Sequence, residues 1–322
     1  MKAPGGSCQD TRDSDGESDT GQWHLILLTG SGRSGSTLLQ RLLAQYADTS
    51  TVGEAVRVWD CAYPREELCG CGQLITQCPV WHPTLSHAGV TSIESAARMA
   101  STRDRMLRIP ELARLLCRRP SKAMENYIAR ISRLYEAFAN ETGATVLVDS
   151  SKRPGYTILL TAAFPRRVSL VHLTRDPRAV AFSLQRQVKR RDVVKRVEFM
   201  PQYSASRSSL AWLRRNVLAE LNTIIARSTH RLRYEDLVAE PSETLGGIRR
   251  SLGLPELEAS FVNGSCARLT PRHSVAGNSS RFDNGVVKLK LDDEWTTALA
   301  PTARRAVEFL TMPLRHRYGY GE

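Results

Sequence analysis

Apolar residues fall in short bounded runs along this chain, and their spacing alternates between the two periods of regular structure. His24-Leu-Ile-Leu-Leu-Thr29 is a nearly continuous apolar run ending at a glycine, the pattern of a strand buried on both faces. Directly after it, Leu38, Leu39, Leu42, Leu43 and Tyr46 recur at helical spacing, so this region reads strand, Gly-rich loop, helix. Thr145-Val-Leu-Val-Asp149 and Val168-Ser-Leu-Val-His-Leu-Thr174 read as two further buried strands, each followed by a proline near a helix start, Pro154 and Pro177. Residues 92–140 carry two amphipathic stretches, the second over Ser121–Asn140 with Ile128, Ile131, Leu134, Tyr135 and Phe138 on one face. Leu210–Ala226 reads as a helix, Leu232-Arg-Tyr as a short strand, and Ser242–Leu252 as a helix after Pro241. Strands alternating with helices predict a three-layer α/β fold with a mainly parallel sheet, a ligand lying at the carboxyl ends of the strands.

Three stretches break the pattern. Residues 1–22 are rich in Gly, Ser, Asp and Thr with almost no large apolar side chain; they cannot offset the entropy of ordering and are expected to form a disordered tail. Residues 60–82 are a loop punctuated by Cys, Gly and Pro. Residues 263–292 are polar without clear periodicity, and a loop of that length inside a compact domain is functional or disordered.

Composition narrows the picture only in places. At 322 residues, with 41% hydrophobic and 24% charged positions, the chain is an ordinary globular one. A formal charge of +12 suits a polyanionic ligand, but the basic residues form no Lys/Arg tract and no nucleic-acid-binding module is visible, so no nucleic-acid partner is expected. No run approaches the roughly 18 apolar residues of a membrane span, and the N-terminus lacks an apolar signal core. Seven cysteines, an odd number, fit a reducing compartment better than a disulfide framework. The expected location is cytoplasmic.

The strongest chemical signal is Gly30-Ser31-Gly32-Arg33-Ser34-Gly35-Ser36-Thr37. A Gly-rich turn between a buried strand and a helix lets successive N–H groups converge on a phosphate. It differs from the nucleotide-triphosphate loop GxxxxGK[ST] at one decisive place, where Ser36 stands instead of Lys and the basic residue is Arg33. Such a loop suits a single phosphate with an Arg beside it.

On these residues the chain resembles the family of sulfotransferases that use 3′-phosphoadenosine 5′-phosphosulfate (PAPS), in its bacterial and carbohydrate-type branch. Arg33-Ser-Gly-Ser-Thr-Leu38 matches the family's [K/R]-S-G-[T/S]-T-L loop for the 5′-phosphosulfate, and Leu173-Thr-Arg175-Asp-Pro-Arg-Ala-Val-Ala-Phe-Ser183 matches the R-x-P-x-x-x-x-x-S segment for the 3′-phosphate. The resemblance implies a P-loop NTPase-like sulfotransferase fold and donor-binding roles for Gly32, Arg33, Ser34, Gly35, Ser36, Thr37, Arg175 and Ser183. Arg233-Tyr-Glu-Asp-Leu237 is similar to the segment after the family's fourth strand. Gly277–Gly285 is similar to the late loop that closes over the nucleotide, although Phe282 and Asp283 intervene and a second Gly is missing; Arg281 and Gly285 are carried over from it.

Sulfuryl transfer needs a base for the acceptor hydroxyl and positive charge on the leaving oxygen. Arg33 is the candidate for the second role. For the base, Glu54 in Val52-Gly-Glu-Ala follows the first helix by a short turn, where some family members place a carboxylate. The small-molecule branch uses a His in K-[ST]-H-x-P, and the matching stretch here, Ser150-Ser-Lys152-Arg-Pro154, has none. Lys152 remains as a contact to the sulfonate or as the base itself, with His82 and His273 behind it.

Cys69-Gly-Cys71-Gly with Cys78 and Cys61 has the look of a metal knuckle but lacks paired CxxC. A loop packed by small residues near the acceptor and a labile disulfide stand beside that reading, and no metal is expected. Trp59 and Trp81 line an acceptor pocket or belong to the core. The resemblance thus implies residues 23–322 as a sulfotransferase domain with residues 60–140 as an acceptor-side cap. It also implies PAPS as co-substrate without a metal, and a small-molecule or glycan acceptor that the sequence does not identify. The rival reading is a P-loop NTPase or small-molecule kinase with Asp149 as its Mg²⁺ ligand. A third is a nucleotide-sensing or nucleic-acid-binding protein without turnover. The sequence leaves the oligomeric state open.

Overall fold

The structure, a computed structural model, describes residues 23–321; the expected N-terminal tail lies outside them. Five parallel strands form the central sheet in the order β2-β3-β1-β4-β5, with β1 His24–Gly30, β2 Thr49–Gly53, β3 Val146–Asp149, β4 Val168–Thr174 and β5 Thr229–Arg233. Alternation along β1 shows how both faces are used. Leu25 and Leu27 enter one buried cluster with Trp59, Trp81 and the Lys122–Thr142 helix, whereas Ile26 and Leu28 enter the other with Leu39, Leu42, Leu43 and the Pro241–Ser251 helix. That is a three-layer α/β fold, as the periodicity predicts.

Local chemistry sets most boundaries close to their expected places. Ser121 caps the long helix by accepting from the Met124 amide at 3.2 Å, and Gly143 ends it in the left-handed conformation. The last long helix before β5 begins at Ala205 rather than Leu210, because Ser204 supplies the cap. The stretch 92–140 holds three helices, Ile93–Met106, Ile109–Leu116 and Lys122–Thr142. Trp59 and Trp81 are both fully buried core residues. No helix among the described residues is long and apolar enough to cross a membrane.

Two departures bear on the site. The turn expected after the first helix is in fact strand β2, every residue of which is buried. Its Thr-Ser-Thr sequence hides it from a hydrophobicity scan, yet Thr51 Oγ1 donates to the Val148 carbonyl at 3.1 Å, so its polar group is satisfied inside the sheet. The polar segment 263–292 is ordered: β7 (Cys266–Leu269) pairs with β6 (Val262–Asn263) and with β8 (Gly285–Lys288) in a small antiparallel sheet. Val275 bridges to Gly53, which carries the segment to the carboxyl end of the central sheet.

Candidate active site

Strand β1 delivers the Gly-rich loop to the carboxyl end of the sheet, and the Ser36–Leu43 helix leads away from it. Gly35 is the helix cap at φ 92°, and a Cβ there would lie 2.2 Å from the Tyr234 ring. Only glycine fits that position. No side chain caps this helix, so its leading amides face a cavity of about 430 Å³ lined in part by Gly32, Arg33, Gly35, Ser36 and Thr37. Arg33 sits in the left-handed region at φ 63°, strain of the kind that gathers at functional sites.

Arg175 and Ser183 line the same cavity. Asp176 caps the Pro177–Gln185 helix by accepting from the Arg178 amide at 2.8 Å, which fixes Arg175 at the strand end and Ser183 two turns on. Both meet Arg33: its Nε donates to Ser183 Oγ at 3.0 Å, and its carbonyl accepts from Arg175 Nη1 at 3.2 Å. Burial, and next the neighbouring Arg175 charge, push the Arg33 guanidinium below its ordinary pKa, with Asp292 partly opposing them. Arg175 lies 4.6 Å over the Tyr234 ring and pairs with Asp292 at 3.5 Å. Its Nε and Nη2 are buried without a hydrogen-bond partner, Nη2 making only that ion pair with Asp292, so the guanidinium keeps donor capacity beyond its bond to the Arg33 carbonyl.

At the other end, β2 brings in the carboxylate. Gly53 pairs with Asp149, the Glu54 amide donates to Val275 O at 2.8 Å, and the Ser150 amide donates to Gly53 O at 2.7 Å. Glu54 and Lys152 therefore leave adjacent strand ends. Lys152, at φ 45°, donates through Nζ to Ser36 Oγ at 2.7 Å and to Ser150 O at 2.8 Å, and it meets Glu54 Oε1 at 3.4 Å. Arg57 holds the other Glu54 oxygen at 3.6 Å. A lysine from a different segment thus reaches the first residue of the loop's helix.

Asp149 anchors this arrangement from below. It is buried, and its carboxylate accepts from the Ser151 amide at 2.7 Å and from Tyr135 Oη at 2.6 Å. Burial pushes its pKa up to about 6 despite those bonds. The raised value makes its share of stability largest below the unfolded pKa near 3.8, with loss as pH climbs through about 6. The unfolding free energy of wild type minus that of Asp149→Asn should fall by roughly 3 kcal/mol across that window and stay level above it. Denaturant titrations of both proteins at several pH values check this, and a difference that is flat or rises with pH would contradict it.

Of the residues singled out from the sequence, Glu54, Lys152, Gly32, Arg33, Gly35, Ser36, Thr37, Arg175 and Ser183 line one cavity. Ser34 is buried behind it, its hydroxyl closing the loop onto Ser31 O at 2.8 Å. Arg281 and Gly285 do not reach it. Arg281 is buried and donates to the carbonyls of Ser274, Ala276 and Leu68 at 3.1, 2.5 and 2.7 Å, so it fastens loops together. Gly285 begins β8 with open space around it. Their neighbours Gly277 and Asn278 line the cavity instead, the Asn278 amide donating to Thr37 Oγ1 at 3.4 Å. Sequence reasoning gave no site role to Tyr234, although it lies in the Arg233–Leu237 segment, and missed Arg186 and Arg215, whose only signal is a position brought near by the fold. His82 is exposed, and His273 lies against Cys78; neither lines the cavity. Six cationic side chains, Arg33, Arg57, Lys152, Arg175, Arg186 and Arg215, face two carboxylates, Glu54 and Asp292. This balance favours a polyanion.

The sheet order and the loop at its carboxyl end define a P-loop-like α/β protein with a cleft rich in cationic side chains. The chain belongs to the sulfotransferase family: the family model described as "Sulfotransferase family" matches residues 26–258. Similar solved structures include the sulfotransferase domain from the curacin biosynthetic pathway, 14% identical over 90% of this chain and 98% of that one, TM-score 0.46. Another is the sulfotransferase domain of the Synechococcus PCC 7002 olefin synthase, 19% identical over 92% and 96%, TM-score 0.45. A third is sulfotransferase STF9 from Mycobacterium avium, 15% identical over 92% and 77%, TM-score 0.46. No curated protein matches the chain. Membership of the family implies a transferase.

Proposed function

We propose that the protein transfers the sulfonate of PAPS to a hydroxyl of a carbohydrate, glycolipid or small-metabolite acceptor, in the cytoplasm and with no metal taking part. The observation that carries this reading is a single cavity with Arg175 and Ser183 at one end and, at the other, the uncapped loop helix with Lys152 and Glu54. The Arg175 guanidinium, whose Nε and Nη2 make no hydrogen bond within the protein, suits the 3′-phosphate together with Ser183. The uncapped helix at Ser36 and Thr37 suits the 5′-phosphosulfate.

In the transfer, the acceptor oxygen bonds to sulfur while the bond from sulfur to the 5′-phosphate oxygen breaks. The electron pair stays on that oxygen, adenosine 3′,5′-bisphosphate leaves, and Glu54 takes the hydroxyl proton. Lys152, held at Ser36 Oγ, is placed to neutralise the leaving oxygen. Arg33 has its guanidinium turned toward Ser183 and Met200, which favours donor binding over the leaving-oxygen role that its place in the motif implies.

A second cavity of about 410 Å³ shares Arg57, Lys152 and Arg215 with the first. Asp60 and Arg103 line it from the 60–140 region, which supports that region as the acceptor-side cap of a domain spanning residues 23–322. The kinase reading loses its Mg²⁺ ligand, because the Asp149 carboxylate is buried and accepts from Ser151 and Tyr135. The test is a panel of hydroxyl acceptors incubated with sulfur-labelled PAPS. Label should appear on an acceptor together with an equal amount of adenosine 3′,5′-bisphosphate, chelator present or not. Transfer of a phosphoryl label from ATP across the same panel, with no sulfonate moved, would sink the proposal.

A further inference from the structure

The Cys-rich loop has no part in the cavity, yet the fold gathers its side chains with care. The ligand atoms of Cys69, Cys71, Cys78 and His273 all lie within 4.8 Å of one another, with Cys69 and Cys78 buried and the other two half-buried. Cys71 Sγ is 3.8 Å from Cys78 Sγ, and Cys78 Sγ is 3.2 Å from His273 Nδ1. A disulfide needs sulfurs at about 2.05 Å, and thiols packed only as small hydrophobes give no reason to recruit an imidazole from 195 residues away. A tetrahedral ion with metal–sulfur bonds of about 2.3 Å sets neighbouring sulfurs about 3.8 Å apart.

We propose that Cys69, Cys71, Cys78 and His273 form a closed, structural zinc site of three thiolates and one imidazole. Zinc suits the set because it takes sulfur and nitrogen ligands tetrahedrally and needs no redox partner; on binding, the three thiols give up their protons to solvent. Four protein ligands leave no position for water or substrate, so the ion holds structure rather than doing chemistry.

The surroundings are built as a knuckle. Cys69 donates from its amide to Gln73 O at 2.8 Å, Gly72 donates back to Cys69 O at 2.9 Å, and the Trp81 amide points at Cys78 Sγ at 3.5 Å. Trp81 Nε1 donates to His273 O at 3.0 Å, orienting the residue that carries the imidazole. Gly70 donates to Ser274 O at 2.9 Å, and a Cβ on it would lie 2.4 Å from Arg272 O, so the knuckle and the His273 segment touch backbone to backbone. The ion would therefore fasten the Cys loop to the segment that supplies Val275, bridged to Gly53, and then Gly277 and Asn278 in the cavity wall. Cys61, the fourth thiol of the metal reading that the sequence analysis set aside, is not in the group; His273 stands in its place, and the proposal departs from the sequence expectation of no metal. None of this depends on the identity of the donor.

The test is elemental analysis of the full-length protein, purified under reducing conditions without added zinc. Zinc should be retained at close to one equivalent per chain, and a mercurial that caps thiols should release it. Cys71→Ser and His273→Ala should each lose most of it, while Cys266→Ser should keep it. Because either variant can unfold, the wild-type protein loaded with Co²⁺ gives an independent readout: tetrahedral d–d bands and thiolate-to-cobalt charge transfer are expected. Three results would overturn the site. One is folded, reduced protein that holds no zinc and gives no such cobalt spectrum. Another is full zinc retention by both variants. The third is a Cys71–Cys78 disulfide in the intact mass with no metal.

Discussion

Glu54→Gln is expected to lower kcat by roughly 10²–10⁴-fold while leaving donor affinity nearly unchanged. The substitution keeps shape and removes the oxygen that takes the proton. Glu54 lies between Lys152 at 3.4 Å and Arg57 at 3.6 Å, at the end of the cavity where the Ser36–Leu43 helix begins. Lys152 keeps its other two bonds, to Ser36 Oγ and Ser150 O, when the carboxylate is neutralised, so the donor should still bind. Lys152→Ala should behave differently, weakening the donor or the transition state without removing a titrating base from the pH–rate profile. Steady-state rates with an identified acceptor, read beside donor titrations, separate the two. A Gln variant that turns over at the wild-type rate would make Glu54 only an orienting partner of Lys152.

Arg175→Ala is expected to weaken adenosine 3′,5′-bisphosphate by about 1.5–3 kcal/mol, the worth of a charge-assisted hydrogen bond, or roughly 10–150-fold in Kd. The 5′-monophosphate, which lacks the group that Arg175 is held to recognise, should hardly notice the change. The selectivity of the loss is the informative part. Arg175 also supports the Arg33 carbonyl at 3.2 Å, and if that support were its whole role, the phosphate loop would loosen and both ligands would suffer equally. Calorimetry with the two nucleotides on the same protein preparation decides between these outcomes.

How much of this was legible in sequence follows from how local each requirement is. The loop from Gly30 to Thr37 was readable because its glycine and its flanking strand and helix are neighbours in the chain, and Gly35 with φ 92° bears out the local demand. Arg175 and Ser183 were readable because one strand end and one helix fix both. Glu54 reaches the cavity by a route that the sequence reading did not contain. Its place depends on β2, a buried strand written in threonine and serine, and on pairing to β3 nearly a hundred residues later. Arg281 shows the converse. Its spacing from the loop glycines resembled a nucleotide contact, yet buried carbonyls at 2.5–3.1 Å claim the guanidinium, and Gly277 and Asn278 take the place at the cavity. His273 could not be paired with Cys78 from spacing at all, since long-range contacts such as the bridge of Val275 to Gly53 and the Gly70 amide on Ser274 O bring that segment home.

The central claim is that the cavity is a site for a nucleotide with phosphates at both its 3′ and 5′ positions, and it is tested most directly by calorimetric titration of the wild-type protein. Adenosine 3′,5′-bisphosphate should bind tightly and equally well with Mg²⁺ or with chelator, because six cationic side chains and an uncapped helix already supply the positive charge. ATP should bind far more weakly under both conditions, since Ser36 stands where the triphosphate loop has its lysine. Tight, Mg²⁺-dependent binding of ATP with no measurable affinity for the bisphosphate would contradict the account.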